Sequence, residues 1–107
     1  MGFEWRGAIA ADHPCLAGHF PGNPIVPGVV LLDELLRAFA VWRPADRPLG
    51  IPMAKFLAPL RPEQPFTIRF TESGSGGARF DCLGDDGRPL ARGSLMLAGD
   101  NGFPPAA

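Results

Sequence analysis

The feature that most constrains this chain is a long apolar segment at residues 29–42, VVLLDELLRAFAVW. Its large apolar residues recur at the three- and four-residue spacing of a helix, and Pro44 ends the run. They are Leu31, Leu32, Leu35, Leu36, Phe39 and Trp42. Such a helix would be roughly 21 Å long at 1.5 Å per residue. Because it is apolar on nearly every side, we expect the rest of the chain to enclose it.

Short strands are predicted on both sides of this helix. Residues 3–10 contain the first candidate, residues 11–28 form a loop rich in proline and glycine, and four more candidates follow the helix at 51–58, 65–72, 78–83 and 88–97. In 65–72, Phe66, Ile68 and Phe70 alternate with polar residues, as in a strand with one buried face. Hairpin turns are indicated at 74–77 and 85–87. The pattern predicts an α+β fold, with an antiparallel sheet wrapped around one helix.

Composition excludes several classes of protein. The chain has 107 residues, 46% of them hydrophobic and 20% charged, which is typical of one globular domain; we place that domain at 1–98 and expect a disordered tail at 99–107. A net charge of −1 argues against a nucleic-acid partner. No apolar run reaches the length of a membrane span, and the first residues lack a secretory pattern. Two cysteines without a framework favour a cytoplasmic protein.

The loop before the helix holds the residues with the clearest chemical pattern. Residues 18–34, GHFPGNPIVPGVVLLDE, place three prolines and three glycines around His19 and then put Asp33 within the apolar helix. Prolines fix the backbone dihedral φ, and glycines allow close approach of another group to the backbone. A stiff loop of this kind would hold His19 in one place and leave the backbone of Gly28 accessible at the start of the helix.

The segment HFPGNPIVPGVVLLD resembles the signature of the hotdog-fold 3-hydroxyacyl-(acyl-carrier-protein) dehydratases. In that family a histidine stands in an HF-x-G-x-P-x-x-PG loop, and an acid follows fourteen residues later on the central helix. Here these positions are His19 and Asp33. A weaker likeness extends through AKFLAPLRPEQPFTI and RGSLMLA, so that the resemblance covers about positions 12–98. The form with DHP before the motif and LLDE within it is similar to dehydratases of dedicated pathways, such as those of aryl polyene pigments.

The residue types suit the dehydration of a 3-hydroxyacyl thioester. A histidine has a pKa near the working pH and can remove the proton beside the carbonyl. A backbone N–H at a helix start, here that of Gly28, can stabilise negative charge on the carbonyl oxygen. A carboxyl group in an apolar setting can protonate the leaving hydroxyl, which is the role we predict for Asp33.

The resemblance adds further expectations about partners and binding. It implies that His19 of one subunit works with Asp33 of another, in a homodimer or larger homo-oligomer with shared active sites. It also implies that Phe20, Pro27 and Val29 contact substrate, and that an acyl carrier protein delivers the acyl group on its phosphopantetheine arm into a narrow tunnel. We expect no metal or redox cofactor, because the elimination changes no oxidation state.

Two neighbours of Asp33 on the helix bear on its role. Glu34 is the rival acid, but it lies about 100° around the helix and should face elsewhere. Arg37 stands where the family usually has glutamine, four residues after the acid. An Asp33–Arg37 ion pair would favour the charged carboxylate and weaken Asp33 as a proton donor. Either Arg37 points away, toward a phosphate or an acidic carrier, or Asp33 mainly orients His19 or a water molecule.

Other groups invite weaker hypotheses. Asp12, His13, Cys15 and His19 together contain metal-ligand types, but their spacing is not that of a typical zinc site, and no metal is expected. Cys15 has no evident activating partner, so a nucleophilic role is not favoured. The phenylalanines, together with Met53 and Met96, are interpreted as core residues, some of them lining the acyl tunnel.

Two other functions remain open from the sequence. Hotdog enzymes also include acyl thioesterases with an acid on the central helix, although those do not usually need the HFPG loop. A non-catalytic hotdog subunit of a heteromeric dehydratase is the other alternative. The presence of both His19 and Asp33 speaks against it, and the unusual Arg37 keeps it open.

Overall fold

The computed structural model describes residues 2–14, 25–73 and 76–97. Within them the chain forms one helix and five strands, as predicted. The elements in chain order are β1 (Gly2–Gly7), α1 (Gly28–Trp42), β2 (Pro48–Phe56), β3 (Phe66–Ser73), β4 (Gly77–Gly84) and β5 (Pro89–Leu97). The predicted boundaries hold to within a few residues; the largest shifts are at β1, which ends earlier, and at β2, which starts earlier.

The strands form a single antiparallel sheet in the order β1-β3-β4-β5-β2. Consecutive strands β3, β4 and β5 lie side by side, and β1 and β2 form the two edges. The predicted turn between β4 and β5 is confirmed, since the Gly87 N–H donates to the Gly84 carbonyl at 2.9 Å and the Arg88 N–H donates to Asp86 at 3.0 Å. The predicted turn at 74–77 lies partly outside the described residues.

The hydrophobic core lies between one face of the sheet and one face of α1. The predicted alternation in β3 is confirmed: Phe66, Ile68 and Phe70 are fully buried, and Arg69 between them is exposed. On the helix, Leu35 and Phe39 are equally buried. The alternating strands and the helical repeat therefore meet as the pattern predicts.

The opposite face of α1 is open, so the expectation that the chain encloses the helix is wrong for the single chain. Val29 is 71% exposed and Val41 57%, and the side chains of Asp33 and Arg37 are also largely exposed. The sheet packs against only one side of the helix, and its free edge β2 leaves the other side uncovered. No helix among the described residues has the length and apolar character needed to cross a membrane.

The assignment of all phenylalanines and of Met53 and Met96 to the core is also wrong in part. Phe39, Phe66, Phe70 and Phe80 are buried, but Phe56 is half exposed, and so are both methionines. Met53 lies opposite Ser94 and Met96 is flanked by buried residues of β5, so both methionines point to the outer face of the sheet. Phe56 is at the end of the edge strand, where few neighbours are available to cover its ring.

Strands β2 and β5 come unusually close at Gly93. A Cβ atom at this position would lie 2.1 Å from the Met53 carbonyl oxygen and 2.6 Å from Cζ of Phe80. Both distances are far below van der Waals contact, so only glycine fits here. This contact joins the edge strand β2 to the buried middle of the sheet.

Candidate active site

A cleft with a volume of about 490 Å³ opens at the start of α1. Its walls come from the residues before and within the first turns of the helix and from the segment that follows β2. The lining residues are Ile25, Val26, Gly28, Val29, Leu31, Leu32, Phe56, Ala58, Pro59 and Leu60. All of these residues except Gly28 carry apolar side chains, so the polar groups available to a ligand on these walls come mainly from the backbone.

The start of α1 supplies backbone donors to this cleft. Pro27 precedes the helix in an extended conformation, no side chain caps the helix, and its first turn holds no acidic residue. The first N–H groups of a helix have no partner within the helix, and the helix dipole makes them favourable for a negatively charged oxygen. Gly28 and Val29 both line the cleft, and Pro27 is not among its lining residues. The substrate-binding role of these three residues stays a prediction.

The side of Gly28 that lacks a side chain faces the ring of Phe56. A Cβ atom on Gly28 would lie 2.8 Å from Cζ of Phe56, 3.1 Å from Cε1 and 3.2 Å from Cε2. The ring therefore points its tip at the first residue of the helix. From the sequence the phenylalanines are interpreted as core residues, some of them lining the acyl tunnel, but the local pattern does not single out Phe56 as the one that faces the cleft.

Asp33 lies on the exposed face of α1, one turn beyond Val29. Its side chain is 66% exposed, and its Oδ2 atom is 3.6 Å from Nε of Arg37. In the single chain the two residues therefore form an ion pair rather than pointing apart. The role of Asp33 in catalysis stays a prediction. Both groups are solvent-exposed in the single chain, and exposed pairs of this kind contribute at most about 1 kcal/mol.

Glu34 has a different environment from its neighbour. The Trp5 indole Nε1–H donates a hydrogen bond to its Oε2 atom at 3.1 Å, which ties α1 to β1. The prediction that Glu34 faces away from Asp33 is confirmed. Glu34 is therefore bonded to a residue of the edge strand β1, whereas Asp33 pairs with Arg37 on the helix itself.

Several predicted site residues lie outside the described part of the chain. These are His19, Phe20 and Cys15, so the predicted pairing of His19 with Asp33 stays a prediction. The metal-site hypothesis also depends on two of them. Among the residues that are described, no group of three or more potential metal ligands comes together.

The second cysteine, Cys82, is fully buried in β4, on the face that it shares with Ala78 and Phe80 through the period-two alternation of the strand. Burial raises the pKa of its thiol from 9.0 to about 12. A thiol held neutral in this way is a poor nucleophile, so Cys82 contributes packing rather than chemistry.

The chain is similar to known proteins over most of its length. The ApeI-like family, described as ApeI dehydratase, matches residues 2–94. The 3-hydroxyacyl-[acyl-carrier-protein] dehydratase FabZ of Chlamydia trachomatis serovar L2 is 33% identical over 102 residues, covering 83% of this chain and 67% of the relative. FabZ of Haemophilus influenzae (strain Rd) is 37% identical over 71 residues, covering 55% of this chain. The match spans about half of that relative, 48% of its length.

Solved structures share the architecture. The dehydratase heterocomplex ApeI:P from Xenorhabdus doucetiae superposes with a TM-score of 0.74 at 22% identity, covering 90% of this chain and 86% of that one. The (R)-hydratase from A. caviae gives a TM-score of 0.71 at 15% identity, covering 91% and 92%. At these identities the likeness establishes the fold, which is the predicted hotdog fold. With the family match over residues 2–94, the chain belongs to the ApeI-like family.

Proposed function

We propose that this protein removes water from a 3-hydroxyacyl thioester carried on acyl carrier protein and forms the trans-2-enoyl thioester. The relatives named for this reaction support the proposal, as does the family match. The observation that carries it is the uncapped start of α1, where the backbone of Gly28 borders an apolar cleft. Such a site can hold an acyl chain and present an N–H group to its carbonyl oxygen.

In the proposed reaction each proton and electron pair has a defined destination. His19 takes a proton from C2, and the electron pair moves onto the thioester carbonyl oxygen, where the Gly28 N–H stabilises the charge. The electrons then return to form the C2–C3 double bond as the C3–oxygen bond breaks. The departing hydroxyl receives a proton from the Asp33 carboxyl group and leaves as water. The proton on His19 returns to Asp33 through solvent. The elimination changes no oxidation state, so the proposed scheme requires no redox cofactor.

Arg37 limits how Asp33 can act in this scheme. While the ion pair is formed the carboxylate is charged, and a charged carboxylate cannot donate a proton. Because the pair is exposed and weak, Arg37 can turn away when substrate arrives, which leaves Asp33 free to be protonated. In the alternative scheme, Asp33 stays charged and orients a water molecule that relays the proton taken up by His19 to the departing hydroxyl, which leaves as water.

We propose that a second copy of the same chain completes the site. Asp33 lies on the exposed face of α1, among apolar residues that this chain leaves uncovered, while its own cleft lies at the helix start. The edge strand β2 carries Leu49, which is also exposed. Pairing of two such edges would satisfy their backbone groups, cover both helices and bring Asp33 of one copy toward the cleft of the other.

The assembly can be tested by placing the same charge on two surfaces. Leu36→Glu puts a carboxylate on the open face of α1, and Met96→Glu puts one on the outer face of the sheet. In sedimentation velocity we expect the wild type and Met96→Glu to be dimers or larger homo-oligomers and Leu36→Glu to be a monomer with little activity. A wild type that is monomeric alone, but binds a non-identical hotdog chain, would replace the homodimer by a heteromer.

The reaction itself is tested by mass spectrometry of one carrier-bound 3-hydroxyacyl substrate. Loss of one water molecule is expected, and release of the free acid would instead identify a thioesterase. His19→Ala should abolish dehydration while His13→Ala, which changes the chain's other histidine, keeps it. Circular dichroism of both variants checks that they are folded. Near-normal dehydration by His19→Ala would exclude the proposed mechanism.

A further inference from the structure

We propose that Phe56 makes this enzyme selective for acyl thioesters that carry no substituent on C2. This inference rests on the proposed function, because it concerns the approach of the thioester carbonyl to the Gly28 N–H. It concerns the chemical class of the acyl group, which the family match leaves open.

The ring of Phe56 occupies the space beside the proposed oxyanion donor. Three of its carbon atoms, Cζ and the two Cε atoms, lie 2.8 to 3.2 Å from the position of a Cβ atom on Gly28. Only the absence of that atom allows the ring to sit there. The ring is 52% exposed, so its other surface is available to a ligand in the cleft.

The backbone holds Phe56 at this distance. Phe56 pairs with Ala91 in the β2–β5 ladder, and the two following residues continue toward the same strand. The Leu57 N–H donates to the Leu90 carbonyl at 2.8 Å, and the Ala58 N–H donates to the same oxygen at 3.3 Å. These backbone hydrogen bonds hold the Cα atom of Phe56 in place. The ring can therefore change its rotamer, but its Cα atom cannot move away from Gly28.

The position of the ring determines which part of a substrate it meets. An oxygen that accepts a hydrogen bond from the Gly28 N–H lies about 2.9 Å from the nitrogen. Its carbonyl carbon and C2 must then occupy the next positions along the cleft, beside Phe56. A CH₂ group at C2 is narrow enough to pass the tip of the ring, whereas a methyl branch competes with it for the same space.

The expected size of this discrimination follows from pocket sterics. One additional methyl group in a filled apolar pocket changes kcat/KM by roughly 10- to 200-fold. We therefore expect the wild type to use a 2-methyl-3-hydroxyacyl carrier substrate at least about 10-fold less well than the unbranched substrate.

The test compares the unbranched and the 2-methyl substrate in four proteins: the wild type, Phe56→Ala, Phe56→Leu and Met96→Ala. The 2-methyl substrate is used as a mixture of C2 epimers. Met96 is the matched control because it is an exposed large apolar residue on the outer face of the sheet, away from the cleft. The quantity of interest is the ratio of kcat/KM for unbranched over branched substrate. The methyl group also changes the acidity of C2, but this effect is the same in every variant. It therefore cancels when the ratios of two variants are compared. We expect Phe56→Ala to lower the ratio by about 10-fold or more, Phe56→Leu to lower it less, and Met96→Ala to leave it unchanged.

A rescue experiment tests the contact directly. Gly28→Ala keeps the backbone N–H but places a Cβ atom against the ring, so it should lower activity on the unbranched substrate. Gly28→Ala combined with Phe56→Ala should recover a large part of that loss. An equal loss in the single and double variants would mean that the ring does not limit the space at Gly28.

Failure of this inference is distinguishable from failure of the proposed function. If the wild type dehydrates the unbranched substrate and the ratio is the same in Phe56→Ala, the inference is wrong and the function stands. If the wild type dehydrates neither, the function is wrong, and calorimetric binding of 2-enoyl- and 2-methyl-2-enoyl-pantetheine decides the inference. A preference for the unbranched ligand that Phe56→Ala abolishes supports it, and equal binding by the wild type overturns it.

Discussion

The two edges of the sheet are completed in different ways. At β1 the chain uses its own side chains: Trp5 donates to Glu34, and Arg69 on β3 pairs with Glu4 at 2.9 Å. At β2 apolar side chains such as those of Leu49 and Phe56 stay exposed, and the adjoining start of α1 opens on the cleft. Side chains of the first edge strand are engaged in contacts within the chain. The second edge and the adjoining cleft are the places that we propose for a second copy of the chain and for substrate.

Aromatic packing deepens the contrast. The rings of Phe3, Phe39, Trp42 and Phe70 form one cluster between β1, β3 and the end of α1, with Trp42 and Phe70 stacked at 5.3 Å. Arg43 adds a cation–π contact to Trp42 and ion pairs to Asp46 and Glu72. The end of the helix is therefore anchored, and its start is the part that is free to meet a ligand.

The largest difference is expected between substitutions of the two adjacent acids of α1, Asp33 and Glu34. Asp33→Asn should lower kcat/KM for dehydration by about 100-fold or more, because it removes the proposed proton donor on the open side. Glu34→Gln should keep activity within a few fold and lower the free energy of unfolding by less than about 1.5 kcal/mol, since it weakens the bond to Trp5. Steady-state kinetics and thermal melting measure both. A larger kinetic loss for Glu34→Gln would reverse the assignment of the two acids.

A smaller effect is expected where the open edge joins the sheet. Gly93→Ala should lower the free energy of unfolding by about 1–3 kcal/mol, because the added Cβ would collide with the Met53 carbonyl and the Phe80 ring. Gly50→Ala is the matched control on β2, since nothing lies within 4 Å of a Cβ there, and it should change stability by less than about 0.5 kcal/mol. Denaturant unfolding compares the two. Equal stability of both variants would show that β2 shifts freely and is not held by β5.

At neutral pH the smallest effect is expected at Cys82, in the buried middle of the sheet, whose contribution appears only at alkaline pH. Its pKa is raised to about 12 by burial, so the folded state keeps the thiol neutral while the unfolded state ionises near pH 9. This contribution to stability is complete below pH 9 and is lost as the pH rises from 9 toward 12. Wild type should therefore lose more unfolding free energy over this range than Cys82→Ala, as measured by denaturant titration. Parallel pH curves would indicate that solvent reaches β4.

Much of the fold could be predicted because its signals are local and periodic. Leu35 and Phe39 fall on the buried face of a helix, and Phe66, Ile68 and Phe70 on the buried face of a strand, as their spacing indicates. The acid at Asp33 and the glycine at Gly28 also stand out, since each is an unusual residue in its local context. Repeats of 3.6 and two residues are set by backbone geometry, which is why they are legible without a structure.

The features that the sequence analysis missed or assigned wrongly have a common origin in contacts between distant parts of the chain. Trp5 and Glu34 are 29 residues apart, and Phe56 meets Gly28 across the cleft. Met53 and Met96 appear suited to a core, yet they face outward because the register of β2 on β5 puts them there. Hydrophobicity identifies residues that can be buried, but strand order and register decide which of them are.

The sequence by itself determined the helix, the five strands, the turn at Gly87 and the resemblance to the hotdog dehydratases, because each is encoded in neighbouring residues. Only the tertiary structure decided that β1 and β2 are the edges of the sheet, that Trp5 is the partner of Glu34, and that Phe56 stands over Gly28. These are consequences of how the sheet is ordered and how the helix is rotated on it. That rotation is fixed by the summed packing of the core, which no short stretch of sequence contains.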